Sequence, residues 1–265
     1  MYNFNYQRPA SLDEAIQALA NSDDGVLLAG GHTLLPTMKQ RLAQSSDLID
    51  LCAVPDLDGI SRDGNNLVIG AMVRHAQVAA SAVVVEAIPA LANLAGNIGD
   101  PQVRNRGTLG GSVANADPAA DYPAALVALN ATVNTNSRSI AADDFFTSLF
   151  ETALEPGEII TSVSFQIPDQ AAYMKFPNPA SRYAMVGVFV AKSGAGVRVA
   201  VTGAGASVFR VAEMEQALGA NFAAEAIEGM SVPADDLNED LHASPEYRAH
   251  LVTVMAKRAV AEASA

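Results

Sequence analysis

The chain is poor in the residues that build covalent and metal-held scaffolds. Its 265 residues include a single cysteine, Cys52. One thiol supports no disulfide framework. It also falls short of the cysteines that an iron–sulfur cluster takes and of the Cys/His set of a zinc site. His32, His75, His242 and His250 are scattered without metal-ligand spacing, so the sequence predicts a metal-free chain. Positive charge is scarce too. Sixteen Lys and Arg against 29 Asp and Glu leave a formal net charge of −13, which argues against nucleic acid as a partner. No uninterrupted apolar run approaches the ~18 residues of a membrane helix. The opening MYNFNYQRPASLDEA has no basic region followed by an apolar core, so no secretory signal is predicted and the expected location is cytoplasmic. G-x-S-x-G, G-x-x-x-x-G-K-[ST] and H-E-x-x-H are all absent, which excludes the usual nucleophile elbow, P-loop and zinc-protease readings.

What is present describes a folded enzyme-sized chain. Half of the residues are hydrophobic and the mean hydropathy is +0.17, which rules out wholesale disorder. The length suffices for one large domain or for two or three subdomains with cores of their own. Ser11-Leu-Asp-Glu14 reads as a capping box ahead of a helix. Gly25 to Ala29 reads as a short buried strand, and Asp47 to Leu51 as another, closing a small βαβαβ-like unit near residue 55. Asp63-Gly-Asn-Asn66 marks a hairpin. Val83 to Leu94 is helical with a break at Pro89. Ala124 to Leu129 then predicts a helix, and Ala131 to Asn136 and Glu158 to Ile167 predict strands. Beyond Pro168, Tyr173 to Phe176, Ala184 to Lys192 and Gly196 to Thr202 read as antiparallel strands, with a turn at Ser193-Gly-Ala-Gly196. Helices end the chain, the last opening at Ser244-Pro245 and carrying Leu251, Val254, Met255 and Val260 toward the sheet. The expected division is 1–55, 56–168 and 169–265.

Two glycine-rich stretches carry the functional signal. Gly96 to Gly111 holds Gly96, Gly99, Gly107, Gly110 and Gly111, too many for an ordinary helix at roughly 1 kcal/mol each. Such a stretch lets backbone approach something closely. The other is Ala29-Gly-Gly-His-Thr-Leu-Leu-Pro36. It follows a predicted strand and leads into a helix for which Thr33 is the candidate N-cap, running through Met38 to about Leu42. That arrangement points free amides at an anion. Together the loops are expected to hold one phosphate-bearing cofactor. Gly203-Ala-Gly205-Ala-Ser-Val208 looks superficially like a dinucleotide fingerprint but lacks its last small residue, and reads as a structural strand–helix turn.

Ala29 to Pro36, with Ile98-Gly-Asp-Pro-Gln-Val-Arg-Asn-Arg-Gly-Thr-Leu-Gly-Gly111 and Asn115-Ala-Asp-Pro-Ala-Ala-Asp121, resembles the FAD-binding medium subunit of the molybdenum hydroxylases. That is the family of carbon monoxide dehydrogenase and xanthine dehydrogenase, and the likeness runs from Asn3 to the C-terminal helix. It implies an α+β fold of the vanillyl-alcohol-oxidase (PCMH) type, with two FAD-binding subdomains. A C-terminal α+β subdomain with an antiparallel sheet and helices would follow. By position, Ala29, Gly30, Gly31, His32, Thr33 and Leu34 would wrap the pyrophosphate. Thr108, Gly110, Gly111 and Ser112 would line the remaining phosphate and ribityl region, with Asn115 supporting the loop and Ile98 also among the cofactor-binding residues. Asp121 would accept hydrogen bonds from the cofactor, Ile160 would touch the adenine end, Lys175 would stand near the isoalloxazine, and Tyr183 would stack on it. The pattern departs from the family around Arg182-Tyr183, where members often carry an acidic residue. From Ala171 to Val211 there are five basic residues and no acidic one. These read either as solvated sheet edges or as a face turned to reduced flavin or an acidic partner.

The resemblance implies non-covalent FAD here, with the molybdenum cofactor and [2Fe–2S] clusters only on large and small partner subunits, assembled as a dimer of heterotrimers. Two rival readings stand beside it. A stand-alone flavin oxidase would need an acid/base pair, for which only His75 and Tyr183 offer themselves. A non-enzymatic module would use the same loops for another nucleotide.

Overall fold

The computed structural model describes residues 1–265 and builds them around three principal sheets. The first is parallel. Strand β1 (Asn5–Gln7), helix α1 (Leu12–Ala20), β2 (Gly25–Leu28), α2 (Leu34–Lys39) and β3 (Asp47–Asp50) give the order β1-β3-β2. This is the small unit read from the sequence. Ser11 caps α1, its hydroxyl accepting the Glu14 N–H at 3.2 Å. Glu14 reaches back to the Ala10 N–H at 2.7 Å, one residue further than a capping box requires. Thr33 departs from its expected role. It already has helical angles and caps nothing, because Gly31 at φ +71° turns the chain before it. The Gly31 carbonyl accepts the Leu35 N–H at 3.0 Å, and α2 stops at Lys39 rather than Leu42.

The second sheet is antiparallel. Strands β4 (Ile60–Asp63) and β5 (Asn66–Gly70) form the expected hairpin, with Gly64 at φ +57° in its turn. Helices α3 (His75–Ala80), α4 (Ala82–Ala87), α5 (Pro89–Gly96), α6 (Pro101–Arg104), α7 (Leu109–Asn115) and α8 (Tyr122–Ala128) follow. The break foreseen at Pro89 separates α4 from α5, and the proline opens the second helix, where its missing N–H costs nothing. Then come β6 (Thr132–Thr135), β7 (Ser139–Ala141), α9 (Ala142–Phe145), the short hairpin β8 (Phe146–Ser148) with β9 (Glu151–Thr152), and β10 (Ile160–Gln166). The order is β4-β5-β10-β6-β7. Its inner face, Leu67, Ile69, Val133, Val163 and Phe165, packs in one core with Leu91, Leu94 and Leu126 of the helices.

The third sheet is β11 (Gln170–Pro177), β12 (Ala184–Ser193), β13 (Gly196–Thr202) and β14 (Phe209–Arg210), antiparallel throughout, followed by α10 (Ala212–Ala220) and α11 (Pro245–Ala263). Strand β12 is buried from Ala184 to Ala191 because both of its faces are covered. Val186, Val188 and Val190 join the core with Val252, Met255 and Ala259 of α11. Phe189 and Ala191, with the alternate phase, join the core of the second sheet and α8.

Polar contacts close the seam between these two bodies. Thr202 Oγ1 donates to the Pro118 and Ala120 carbonyls at 2.9 and 2.6 Å, and the Gly203 N–H donates to Pro118 at 2.7 Å. The Gly203 turn is therefore structural. Its φ is +81°, and a Cβ there would run into the Ala184 carbonyl. The basic residues of 171–211 are mostly engaged within the chain. Arg198 donates to the Val127 carbonyl and pairs with Asp143. Arg210 pairs with Glu215 at 2.6 Å, Lys175 with Asp121, and Lys192 lies over the Phe222 ring at 5.0 Å.

Candidate cofactor-binding site

The two glycine loops meet. Gly30 packs so tightly on the backbone of Arg106 and Gly107 that a Cβ on it would run into the Arg106 carbonyl. A Cβ on Gly107 would lie 2.5 Å from His75 Nε2, and one on Gly110 2.5 Å from Ala71 Cβ. These glycines thus serve chain-to-chain contact first, and the contact shapes one shared cavity of about 750 Å³. That volume falls within the range of small-molecule and cofactor sites.

The loops differ in what they present. The backbone amides of Gly30 to Leu34 donate to no other group of the chain. In the second loop the amides are already used: Leu109 N–H bonds the Val73 carbonyl at 2.9 Å and Gly110 N–H the Ala71 carbonyl at 2.8 Å. Thr108 Oγ1 caps α7 by accepting the Gly111 N–H at 3.2 Å. The amides left free to meet an anion are therefore those of the first loop. The second loop positions it and contributes the Ser112 hydroxyl and Asn115 amide to the cavity wall.

Every residue singled out from the sequence lines this cavity except Lys175. Lys175 lies just behind the wall, its Nζ 2.9 Å from both the Asn97 carbonyl and an Asp121 oxygen. Asp121 is in the wall and buried, also accepting the Tyr173 hydroxyl at 2.5 Å. An apolar stretch is made by Leu51, Leu154, Ile159 and Ile160. Glu158 beside it is held by Arg138 at 2.8 Å, by Ser137 at 2.7 Å and by the Glu155 N–H at 2.7 Å. Those donors, Arg138 foremost, hold its carboxyl well below the usual glutamate range.

Among the polar wall residues outside the cofactor set read from the sequence are Arg182, Asp117 and His75. Arg182 reaches the Gly99 carbonyl at 3.3 Å. Asp117, whose carboxyl burial pushes up, accepts the Ala119 N–H at 2.9 Å, and its place inside the Asn115–Asp121 motif was the available signal. His75 came up in the sequence only as an acid/base candidate of the oxidase reading, and it lies far from both motifs. The bridge between Arg74 and Thr108 brings it in, with its N–H on the Gly107 carbonyl at 3.0 Å. Its ring is buried, and burial lowers its pKa to about 4, so it is neutral at pH 7. Tyr183 is half exposed at the rim; burial first, then Asp117 and Asp121, raise its phenol.

A strand–glycine–helix turn aiming unpartnered amides into a cavity walled by small, apolar and carboxylate residues defines a binder of a phosphate-bearing nucleotide cofactor. Comparison with known proteins makes this specific. Residues 2–169 match the FAD binding domain in molybdopterin dehydrogenase, and residues 171–263 the CO dehydrogenase flavoprotein C-terminal domain. The nicotine 6-hydroxylase medium subunit of Paenarthrobacter nicotinovorans is 39% identical, over 98% of this chain and 97% of that one. The carbon monoxide dehydrogenase medium chain of Hydrogenophaga pseudoflava is 36% identical, over 97% and 96%. The solved quinoline 2-oxidoreductase of Pseudomonas putida 86 superposes with a TM-score of 0.90 at 31% identity, covering 99% of this chain and 97% of that one. The chain belongs to the family of FAD-binding medium subunits of the molybdenum hydroxylases. It is an oxidoreductase component, and FAD is its cofactor.

Proposed function

We propose that the chain is the electron-transfer subunit of a heterotrimeric molybdenum-containing hydroxylase or dehydrogenase. It takes electrons from [2Fe–2S] clusters of a small partner and passes them to an external acceptor. The large partner carries the molybdenum cofactor and the substrate, and two heterotrimers pair. The relatives named as medium chains of dehydrogenases support this division of labour, as does the single cysteine.

Bound FAD supplies the redox chemistry, and the chain supplies placement. The observation that carries the reading is the run of unpartnered amides from Gly30 to Leu34, which suits the pyrophosphate. On this reading Ile160 contacts the adenine end, Ser112 and Asn115 the ribityl side, and Asp121 and Tyr183 the flavin side. The chain divides functionally into 1–55 and 56–168 for FAD and 169–265 behind it. Attachment is non-covalent, and the complex works in the cytoplasm.

Purification of the tagged chain from its native cells tests this reading. It should bring down a large molybdenum-containing and a small iron–sulfur subunit, at the mass of a paired heterotrimer. Acid precipitation should release the yellow colour into the supernatant; colour kept in the pellet would refute non-covalent binding. Reduction of the partner-free chain by an alcohol or aldehyde would establish the stand-alone oxidase instead. A colourless protein lacking flavin bands would establish the non-enzymatic module.

A further inference from the structure

Tyr173 lies outside the cavity and belongs to neither glycine motif. On β11 it alternates with Lys175, so both side chains leave the same face of the strand. They converge on one carboxylate. The Tyr173 hydroxyl donates to Asp121 Oδ1 at 2.5 Å, and Lys175 Nζ lies 2.9 Å from the same oxygen. Such short contacts are characteristic of charge-assisted hydrogen bonds. Asp121 is 5% exposed and lines the cofactor cavity. A carboxylate offers about four acceptor positions, so two donors from β11 leave capacity for a group in the cavity.

The third sheet is shaped around that hydroxyl. Gly187 stands opposite Lys175 in the β11–β12 register, and a Cβ there would collide with the Tyr173 hydroxyl. The Tyr173 ring is held independently by Phe189, stacked at a centroid distance of 6.0 Å. Bare Gly187 therefore gives the hydroxyl its path to Asp121.

We propose that Tyr173 and Lys175 are positioning residues that fix the Asp121 carboxylate against the FAD, which makes β11 a working part of the cofactor site. Burial pushes the Asp121 carboxyl up; Lys175 first, then Tyr173, oppose that rise without cancelling it. An ionised carboxylate only accepts, whereas the acid also donates, so its state changes what the cofactor meets. The inference rests on the family's FAD assignment and deepens it.

The test uses the full-length chain, purified with the subunits that accompany it. Tyr173→Phe keeps the ring and removes the hydroxyl. The FAD dissociation constant should rise up to about tenfold, because the variant loosens Asp121 rather than removing a bond to the cofactor. The midpoint potential of the bound flavin should shift, which a merely structural role would not produce. If Tyr173 acts through Asp121, the double variant Tyr173→Phe/Asp121→Asn should match Asp121→Asn alone. Gly187→Ala, outside the cavity, should move the potential in the same direction as Tyr173→Phe. Wild-type affinity and potential in Tyr173→Phe, or additive losses in the double variant, would overturn the proposal. A wild-type chain unable to bind FAD would instead refute the cofactor assignment, and the inference with it.

Discussion

His75 sits under Gly107 and beside Tyr122, its ring centroid 5.4 Å from the tyrosine's, and its buried Nδ1 has no partner. Its pKa is lowered to about 4, mainly by burial. Between that value and the ~6.5 of an unfolded histidine, the unfolded chain binds the extra proton. Stability is therefore complete above pH 6.5 and declines as the pH falls toward 4, by about 3 kcal/mol in all. Thermal unfolding from pH 7 to 5, above the main carboxylate range, should show this slope in the wild type and lose it in His75→Gln. Equal slopes would refute the assignment. Gly30 makes the other prediction at this scale. Gly30→Ala forces the two loops apart, because the colliding atom is the Arg106 carbonyl rather than a movable side chain. Overpacking of this kind costs about 1–3 kcal/mol, and purified Gly30→Ala should carry markedly less FAD per chain.

Helix α11 illustrates how an element is tied down by more than its apolar stripe. The foreseen cap is present, with Ser244 accepting the Tyr247 N–H at 3.3 Å; of the foreseen stripe, Leu251, Met255 and Val260 are buried and Val254 is half-buried against the same core. The sequence reading passed over Arg248 on the same helix. Its guanidinium, 3% exposed, donates to the Met185 carbonyl at 2.6 Å and the Gly203 carbonyl at 3.1 Å, and to Asp240 at 2.7 Å. It fastens α11 to β12 and to the turn after β13. Arg248→Met preserves bulk but leaves two buried carbonyls without this donor. It should cost about 2–4 kcal/mol, read as a lower denaturant midpoint with an unchanged slope.

Across the whole molecule, the seam between the second and third sheets combines contacts of unequal worth. The Asp143 pairs with Arg198 and Arg210 look prominent, yet the Asp143 side chain is 37% exposed. Exposed pairs contribute about 0–1 kcal/mol, so Asp143→Asn should lower stability by less than about 1 kcal/mol. It should also leave a single calorimetric transition. The backbone acceptors at Pro118, Ala119 and Ala120, half-buried at the first two and buried at the third, receive donors from Thr202, Gly203 and Ala184 and carry more of the seam. A split transition in Asp143→Asn would show that the surface pairs, not these bonds, hold the two bodies together.

The glycine spacing, the strand–turn–helix order and the strand of β12 were legible in the sequence because they are local. Gly31 needs a backbone conformation that few other residues adopt, and a strand covered on both faces writes itself as an unbroken apolar run. The sequence alone also located the glycine loops of the cavity wall, because each is a continuous motif, whereas wall residues from other elements, such as Leu51, Met72, Leu154 and Ile159, were not legible. Pairings between distant residues were decided by tertiary structure. It spent the second loop's amides on Ala71 and Val73, brought His75 under Gly107, and turned Lys175 from the cavity onto Asp121. Each depends on which donor lies nearest once separate elements pack, and a one-dimensional pattern does not encode that distance.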